Sequence, residues 1–233
     1  MILFGNQQNR SKLVTYGNGL LYNWYAVSQA NFAPAGWHVP TQDEFNTLIT
    51  TLGGASVAGG YMKSIRTDLQ PGWNSPNTGA DDSSGFRGFG AGVRITSGNF
   101  VNIYIYGLFW CSNNVDSTTG HKALLSFDQA TATTLPSILY IPYKYRGFSV
   151  RLLKDTTTWS PSEVLTDIDG NLYATVQIGT QVWLKSNWKC TKYNDGSSIP
   201  NVTDGNIWAG LTTPAYCSYL NQPIIEYTEK FPL

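Results

Sequence analysis

Charge is scarce in this sequence. Asp, Glu, Lys and Arg make up 13% of its 233 residues, about half the share of an ordinary globular chain. Fifteen basic residues balance fifteen acidic ones, which excludes the electrostatic footprint of a nucleic-acid or anionic-membrane binder. Solubility therefore rests on Asn, Ser, Thr, Gln and Gly, a composition common in extracellular and virion proteins. Histidine occurs twice, as His38 and His121, and neither has a Cys or His at zinc spacing. Cysteine occurs three times, as Cys111, Cys190 and Cys217. An odd count argues for buried or free thiols over the even framework of a small secreted domain, and a Cys190–Cys217 bridge has no support. No apolar run approaches the ~20 residues of a membrane span, so no membrane insertion is expected. Met1-Ile2-Leu3-Phe4 runs directly into Gly5-Asn6-Gln7 without the basic region of a secretory leader. The expectation is cytoplasmic synthesis without a signal peptide, then delivery to a virion or extracellular surface by another route, such as assembly into a particle released by lysis.

Aromatic residues, by contrast, reach 14%, with eight Trp and fourteen Tyr. Some build a core; the excess of Tyr points to a contact surface, because Tyr offers area at low entropic cost. Leu20, Trp24 and Val27 fit a short helix with one buried face. Thr41-Gln42-Asp43-Glu44 is a capping box ahead of Phe45, Leu48, Ile49 and Leu52 at helical spacing, and Gly53-Gly54 ends that helix. Ala58 to Gly98 is rich in Gly, Asn, Ser and Pro and reads as a long loop packed on Trp73 and Phe86. Strands are predicted at Gly92–Ile95, Phe100–Tyr106, Leu108–Ser112, Lys122–Phe127, Ser137–Ile141 and Phe148–Leu153. Leu172–Ile178 and Gln181–Leu184 flank Gly179-Thr180 as a hairpin. Residues 1–15 read as a polar arm, 156–166 as a linker with a Pro break, and the tail after Lys192 as loop with Trp208, Tyr216 and Tyr219 as anchors.

Several long motifs carry a resemblance. Leu21-Tyr22-Asn23-Trp24-Tyr25-Ala26-Val27, Pro34-Ala35-Gly36-Trp37-His38-Val39-Pro40-Thr41, Trp73-Asn74-Ser75-Pro76-Asn77-Thr78-Gly79-Ala80, Ser84-Gly85-Phe86 and Gly147-Phe148-Ser149-Val150-Arg151 resemble the Fibrobacter succinogenes major paralogous domain. The likeness covers residues 16–155 and implies an α+β, C-type-lectin-like fold related to formylglycine-generating enzymes: two short helices, a small twisted, mostly antiparallel sheet and long loops. Residues 167–233 resemble that family's opening segment, through Asp167-Ile168-Asp169-Gly170-Asn171, Ile178-Gly179-Thr180-Gln181-Val182-Trp183-Leu184, Lys192-Tyr193-Asn194-Asp195-Gly196 and Pro214-Ala215-Tyr216-Cys217. The chain order is thus expected to be circularly permuted, which neighbouring termini permit. The tail would complete its own domain, insert into a neighbouring subunit, or be a truncated second repeat; completion at home is favoured.

The resemblance bears on chemistry too. Enzymes of the formylglycine-generating type need a reactive cysteine pair. Cys111 lies in Phe109-Trp110-Cys111-Ser112, where the paralogous family has Trp-Trp-Ser-Ser, so it reads as a substitution and not as a nucleophile. No catalytic residue is expected and the chain reads as non-enzymatic. Asp81-Asp82 and Asp167/Asp169 are acidic pairs, and lectin relatives use calcium. No loop here alternates Asp or Asn and ends in Glu, so Asx-turns are the plainer reading and no cofactor is assigned, with structural calcium left open. What remains is a contact surface: Tyr104, Tyr106, Phe109, Trp110, Asn113 and Asn114, with Tyr140, Tyr143 and Tyr145 before the last strand. A similar fold with a Gly-Phe-Ser-Val-Arg-like ending carries the variable surface of retroelement-diversified phage and bacterial receptor proteins. The expected function is a binding or assembly module of a phage virion (fibre, decoration or receptor-binding protein), a homo-oligomer with a trimer favoured, recognising a host-surface glycan or protein or another virion protein. A bacterial surface adhesin or carbohydrate-binding protein is the second expectation and a formylglycine-generating-type oxidase the third.

Overall fold

Thr41 opens the principal helix as its sequence predicts. In the computed structural model, which describes residues 12–67, 72–134, 141–224 and 226–231, the Glu44 amide donates to Thr41 Oγ1 at 3.2 Å and the Thr41 amide to Glu44 Oε2 at 2.7 Å. These reciprocal bonds satisfy amides that the first helical turn leaves without partners.

The elements run β1 (Lys12–Gly17), β2 (Leu21–Tyr22), α1 (Trp24–Val27), β3 (Trp37–His38), α2 (Gln42–Thr51), α3 (Ala55–Met62), β4 (Ala91–Arg94), β5 (Phe100–Ile103), β6 (Tyr106–Asn114), β7 (Gly120–Ser126), β8 (Ala132–Thr133) and β9 (Leu153–Lys154). They continue through β10 (Val164–Thr166), β11 (Leu172–Ile178), β12 (Gln181–Leu184), α4 (Gly205–Trp208), β13 (Tyr216–Cys217), a 3-10 turn (Tyr219–Asn221) and β14 (Glu226–Phe231). This is an α+β architecture, rich in short antiparallel strands.

The tail is woven into the rest of the chain. The largest sheet has the order β10-β11-β12-β9-β3, with Trp183 of β12 opposite Leu153 of β9. β13 pairs with β2, and β14 pairs with β1 from Lys12↔Phe231 to Gly17↔Glu226. Each of these pairings joins residues beyond 163 to residues before 155, within one chain. The predicted Phe148–Leu153 strand is broken up. Phe148 bridges to Tyr22, Gly147 to Arg94 and Ser149 to Phe109, before the chain joins the large sheet as β9.

Two apolar cores lie on either side of β6. One gathers Tyr22, Phe32, Trp110, Phe148, Tyr173 and Trp188; the other gathers Phe45, Trp73, Phe86, Phe109 and Trp183. Both contain residues of the tail.

Four sequence readings need correction. The long loop after Ala58 opens inside α3, whose Gly59 and Gly60 hide it from propensity arguments. A Cβ on Gly59 would sit 2.0 Å from Thr131 O and one on Gly60 2.3 Å from Gly79 O, so the helix needs bare backbone to pack there. Residues 12–15 are not a patternless polar arm but part of β1. The linker contains β10, which pairs with β11. Leu20 to Val27 is not a single helix but a strand, an Asn23 cap and one helical turn. The predicted strand at Ser137–Ile141 falls almost wholly outside the described residues.

Buried cations tie loops to this frame. Lys63 is fully buried, and its ammonium donates to Thr78 O, Ser126 O and Gln129 O at 2.8–2.9 Å. Lys63→Met is expected to leave these carbonyls without a donor and to cost about 2–4 kcal/mol, measured by urea unfolding. A chain shortened to end at Asp155 loses Tyr173, Trp183 and Trp188 from the two cores. It is expected to lose cooperative unfolding and near-UV circular dichroism.

Candidate functional site

Strand alternation would expose about half of the aromatic residues of β6. β6 instead has a core on each face, and Leu108, Phe109, Trp110 and Cys111 are all fully buried. Phe109 packs edge-on against Phe86, with ring centroids 5.8 Å apart. Trp110 lies 4.4 Å from Phe148, and its Nε1 donates to Tyr22 O at 2.7 Å. Phe109 and Trp110 are therefore core residues and offer no contact surface. Tyr106 is half-buried against the first core.

The remaining candidates divide by location. Asn113 accepts the Gln42 amide at 2.9 Å on Oδ1 and so helps to cap α2, while Asn114 is exposed and donates to Asp116 O at 3.3 Å. Tyr143 and Tyr145 stand side by side, with ring centroids 5.6 Å apart and planes within 9°. Both are half-buried. Lys144, which lies between them in a turn closed by the Arg146 amide donating to Tyr143 O at 2.8 Å, is buried. Its Nζ donates to Asp116 O at 2.8 Å and sits 4.3 Å from the centroid of the Trp24 ring. This buried lysine fixes the turn that presents the two phenols. The loop beneath is rigid as well. Asp116 accepts the amides of Thr118 and Thr119 at 2.6 and 2.7 Å, and these bonds hold its carboxyl well below the usual range. The Arg146 guanidinium lies 5.6 Å from the Tyr143 ring centroid. Tyr140 lies outside the described residues.

Tyr104 belongs to a separate place. It has φ +63° and is held by its amide donating to Gly90 O at 2.6 Å and its carbonyl accepting from Asn74 at 2.9 Å. It lines a cleft of about 260 Å³ together with Asn18, Tyr219, Leu220, Gln222 and Ile224. The cleft is hidden in the sequence because its walls come from three segments far apart in the chain, around Asn18, Tyr104 and Tyr219. Two local signals point to it: Gly17-Asn18-Gly19, and an apolar Leu220 beside Asn221 and Gln222.

The titratable groups are held by neighbours. His38 sits between Asp155 Oδ1 at 2.5 Å and Glu44 Oε1 at 3.0 Å. Asp81 accepts the Ser83 amide, Asp82 the amide and Nε of Arg87, Asp167 the Asn171 amide and Tyr173 hydroxyl, and Asp169 the amide and hydroxyl of Thr191. Asp81 closes an Asx turn, Asp82 and Asp167 bond within their own loops, and Asp169 ties its turn to the distant Thr191. Among the described residues no three His, Cys, Asp or Glu side chains gather as a metal site. All three cysteines are free and buried, and burial pushes Cys190 up to about 12 and Cys217 to about 11. Cys111 is pushed higher still, so its thiolate is scarce at neutral pH.

The family model of the Fibrobacter succinogenes major domain matches residues 3–154. The chain belongs to this family. Neither a curated protein nor a solved structure matches it. The matched span of the Fibrobacter succinogenes major domain ends at the last residue of β9. Its motif residues reach beyond that point. Asn23 Nδ2 donates to Thr213 O at 2.7 Å and its Oδ1 accepts from the Ala215 amide at 3.0 Å. Arg151 donates to Leu184 O at 2.8 Å and to Asn187 Oδ1 at 2.7 Å. Polar motif residues of the family are therefore satisfied by the segment that follows the match.

Lys122, on β7, is the clearest uncompensated charge. It is 3% exposed and makes no hydrogen bond or ion pair among the described residues. Burial, with Arg146 nearby, lowers it from 10.5 to about 8. Between those values the unfolded chain binds the proton more tightly, so this residue makes stability rise with pH across that window. Lys122→Met is expected to raise the melting temperature at pH 7. The advantage over the native chain should shrink as pH climbs toward about 10, as thermal unfolding at a series of pH values would register.

Proposed function

We propose that this chain is a non-catalytic binding and assembly module of a phage virion, a fibre, decoration or receptor-binding component. Its fold is a C-type-lectin-like one whose opening strands come last in the chain. Pairing of β12 with β9, and of β13 with β2, supports the permuted order, because the tail supplies an edge that the matched segment lacks. Completion within one chain leaves the surface of each copy free for a partner, and a homotrimer is the assembly proposed.

The observation that carries the reading is the Tyr143–Tyr145 pair. Two parallel phenols stand on a turn tied down by a buried lysine. Recognition surfaces of this kind use aromatic side chains that lose little freedom on binding. The scarcity of surface charge suits contact through ring faces and amides. A buried Cys111 with a raised pKa argues against an oxidase that works through that thiol.

The test is a binding screen of the intact protein on a glycan array and on host cells, with native mass measured alongside. Tyr143→Ala together with Tyr145→Ala is expected to weaken binding at least tenfold, roughly 1.4 kcal/mol, with little change in melting temperature. Binding untouched by the double substitution would remove this surface from the function. A Cys111-dependent oxidase activity would overturn the non-catalytic reading.

A further inference from the structure

The cleft beside Tyr104 lies apart from the Tyr143–Tyr145 face and has its own chemistry. Its residues come from the turn before β2, the end of β5 and the 3-10 turn of the tail, and none of them is charged. A ligand held there by a charge has no counter-ion among them.

The walls are aromatic and preorganised. Tyr219 packs against Phe100 with ring centroids 5.3 Å apart, and its Cε2 lies 2.6 Å from where a Cβ on Gly92 would stand. Any side chain at position 92 would push this ring out. Tyr104 is held by the backbone bonds described above. Leu220, also on the wall, has φ +53° and is 56% exposed. A leucine rarely adopts that backbone or shows that much surface, yet here the turn is fixed by Asn221 Nδ2 donating to Thr203 O at 3.0 Å. Left-handed non-glycine residues held in place by their surroundings recur at ligand clamps.

The polar element is Asn18. It is 4% exposed, and its side-chain Oδ1 has no hydrogen-bond partner among the described residues. Its main-chain carbonyl accepts Asn187 Nδ2 at 2.8 Å, and Asn187 is held in turn by Arg151. A buried acceptor without a donor is costly to keep, and Asn18 is the buried polar residue among those that line the cleft.

Resting on the reading of the chain as a binding module, we infer that this cleft is a calcium-independent subsite for one neutral hexose ring. Such a ring combines the required features. Its C–H face packs on tyrosine and leucine, its hydroxyl donates to Asn18 Oδ1, and it carries no charge. The cleft volume of about 260 Å³ is at the small end of ligand sites, suited to one ring and not to an extended chain.

The experiment is an NMR titration of the intact protein with the methyl glycosides of glucose, galactose, mannose and N-acetylglucosamine, in the presence of a calcium chelator. At least one glycoside is expected to bind saturably in the millimolar range and to shift the resonances of Tyr104, Tyr219 and Leu220. Asn18→Ala should abolish that binding while leaving the melting temperature unchanged or higher, since it removes an unmet acceptor. Leu220→Glu, at an exposed position, provides a second block that spares the core. No saturable binding by any of the four, with water alone meeting Asn18, overturns the inference. So does binding that survives both substitutions. If either occurs while array or host-cell binding through Tyr143 and Tyr145 persists, the subsite falls and the module reading stands. Cleft binding without any array or host-cell signal would sink the module reading alone.

Discussion

Two buried guanidinium groups hold the fold together by bonding to backbone carbonyls. Arg94 is fully buried and donates from Nε to Gly98 O at 2.9 Å, from Nη1 to Val202 O at 2.5 Å and from Nη2 to Thr203 O at 2.8 Å. Its plane lies over Trp208 and Phe100, at 4.4 and 4.8 Å from their centroids. Arg151, equally buried, donates to Phe86 O, Leu184 O, Arg87 O and Asn187 Oδ1. Its guanidinium lies 4.3 Å from the Phe86 ring. Neither forms an ion pair with a carboxylate among the described residues. Carbonyl dipoles and ring quadrupoles supply the compensation instead. A planar fork with five donors suits this work, because one side chain can hold several irregular segments at once.

The short strands make sense in that light. A two-residue strand such as β9 or β13 contributes few ladder bonds and could not fix the tail by itself. The tail is held because the arginines, Asn23 and Asn187 each satisfy main-chain groups across the boundary at residue 154. Burial lowers Arg151 to about 9, the mark of a charge held far from water. Truncating either arginine would orphan carbonyls on both sides of the boundary at once, so the two segments are coupled energetically as well as topologically.

Legibility in the sequence followed the range of the interactions. The α2 capping box and the β11–β12 hairpin are specified by residues within a few positions of one another, and both occur where their sequences place them; Gly179 adopts the φ of +59° that a tight turn needs. Asp81, Asp82 and Asp167 are local for the same reason, whereas Asp169 bonds to Thr191. Long-range features were not legible. β6 reads as half-exposed because alternation cannot reveal that cores lie on both its faces. α3 is obscured by glycines whose purpose is contact with distant backbone. β1 finds its partner only in β14, at the far end of the chain, and β10 is a three-residue strand too short to stand out beside the Pro break before it. The family motifs were legible as a pattern, but Arg151 and, beyond its local capping of α1, Asn23 find their partners in residues more than 30 positions away. The cleft shares this property, since Asn18 and Tyr219 meet only once β13 has paired with β2.

The β1–β14 ribbon has a mechanical consequence. Lys12 faces Phe231 and Gly17 faces Glu226, so the chain enters and leaves at the same end of an antiparallel pair. Tyr227 anchors the inner part of the ribbon, 6.3 Å from Phe89 and 4.2 Å beneath the Arg66 guanidinium. Tension applied through the two strand ends would part the rungs one after another, from Lys12–Phe231 inward, and would not shear them together. The ribbon would yield at low load, and the cores would bear no force until the last rung had opened.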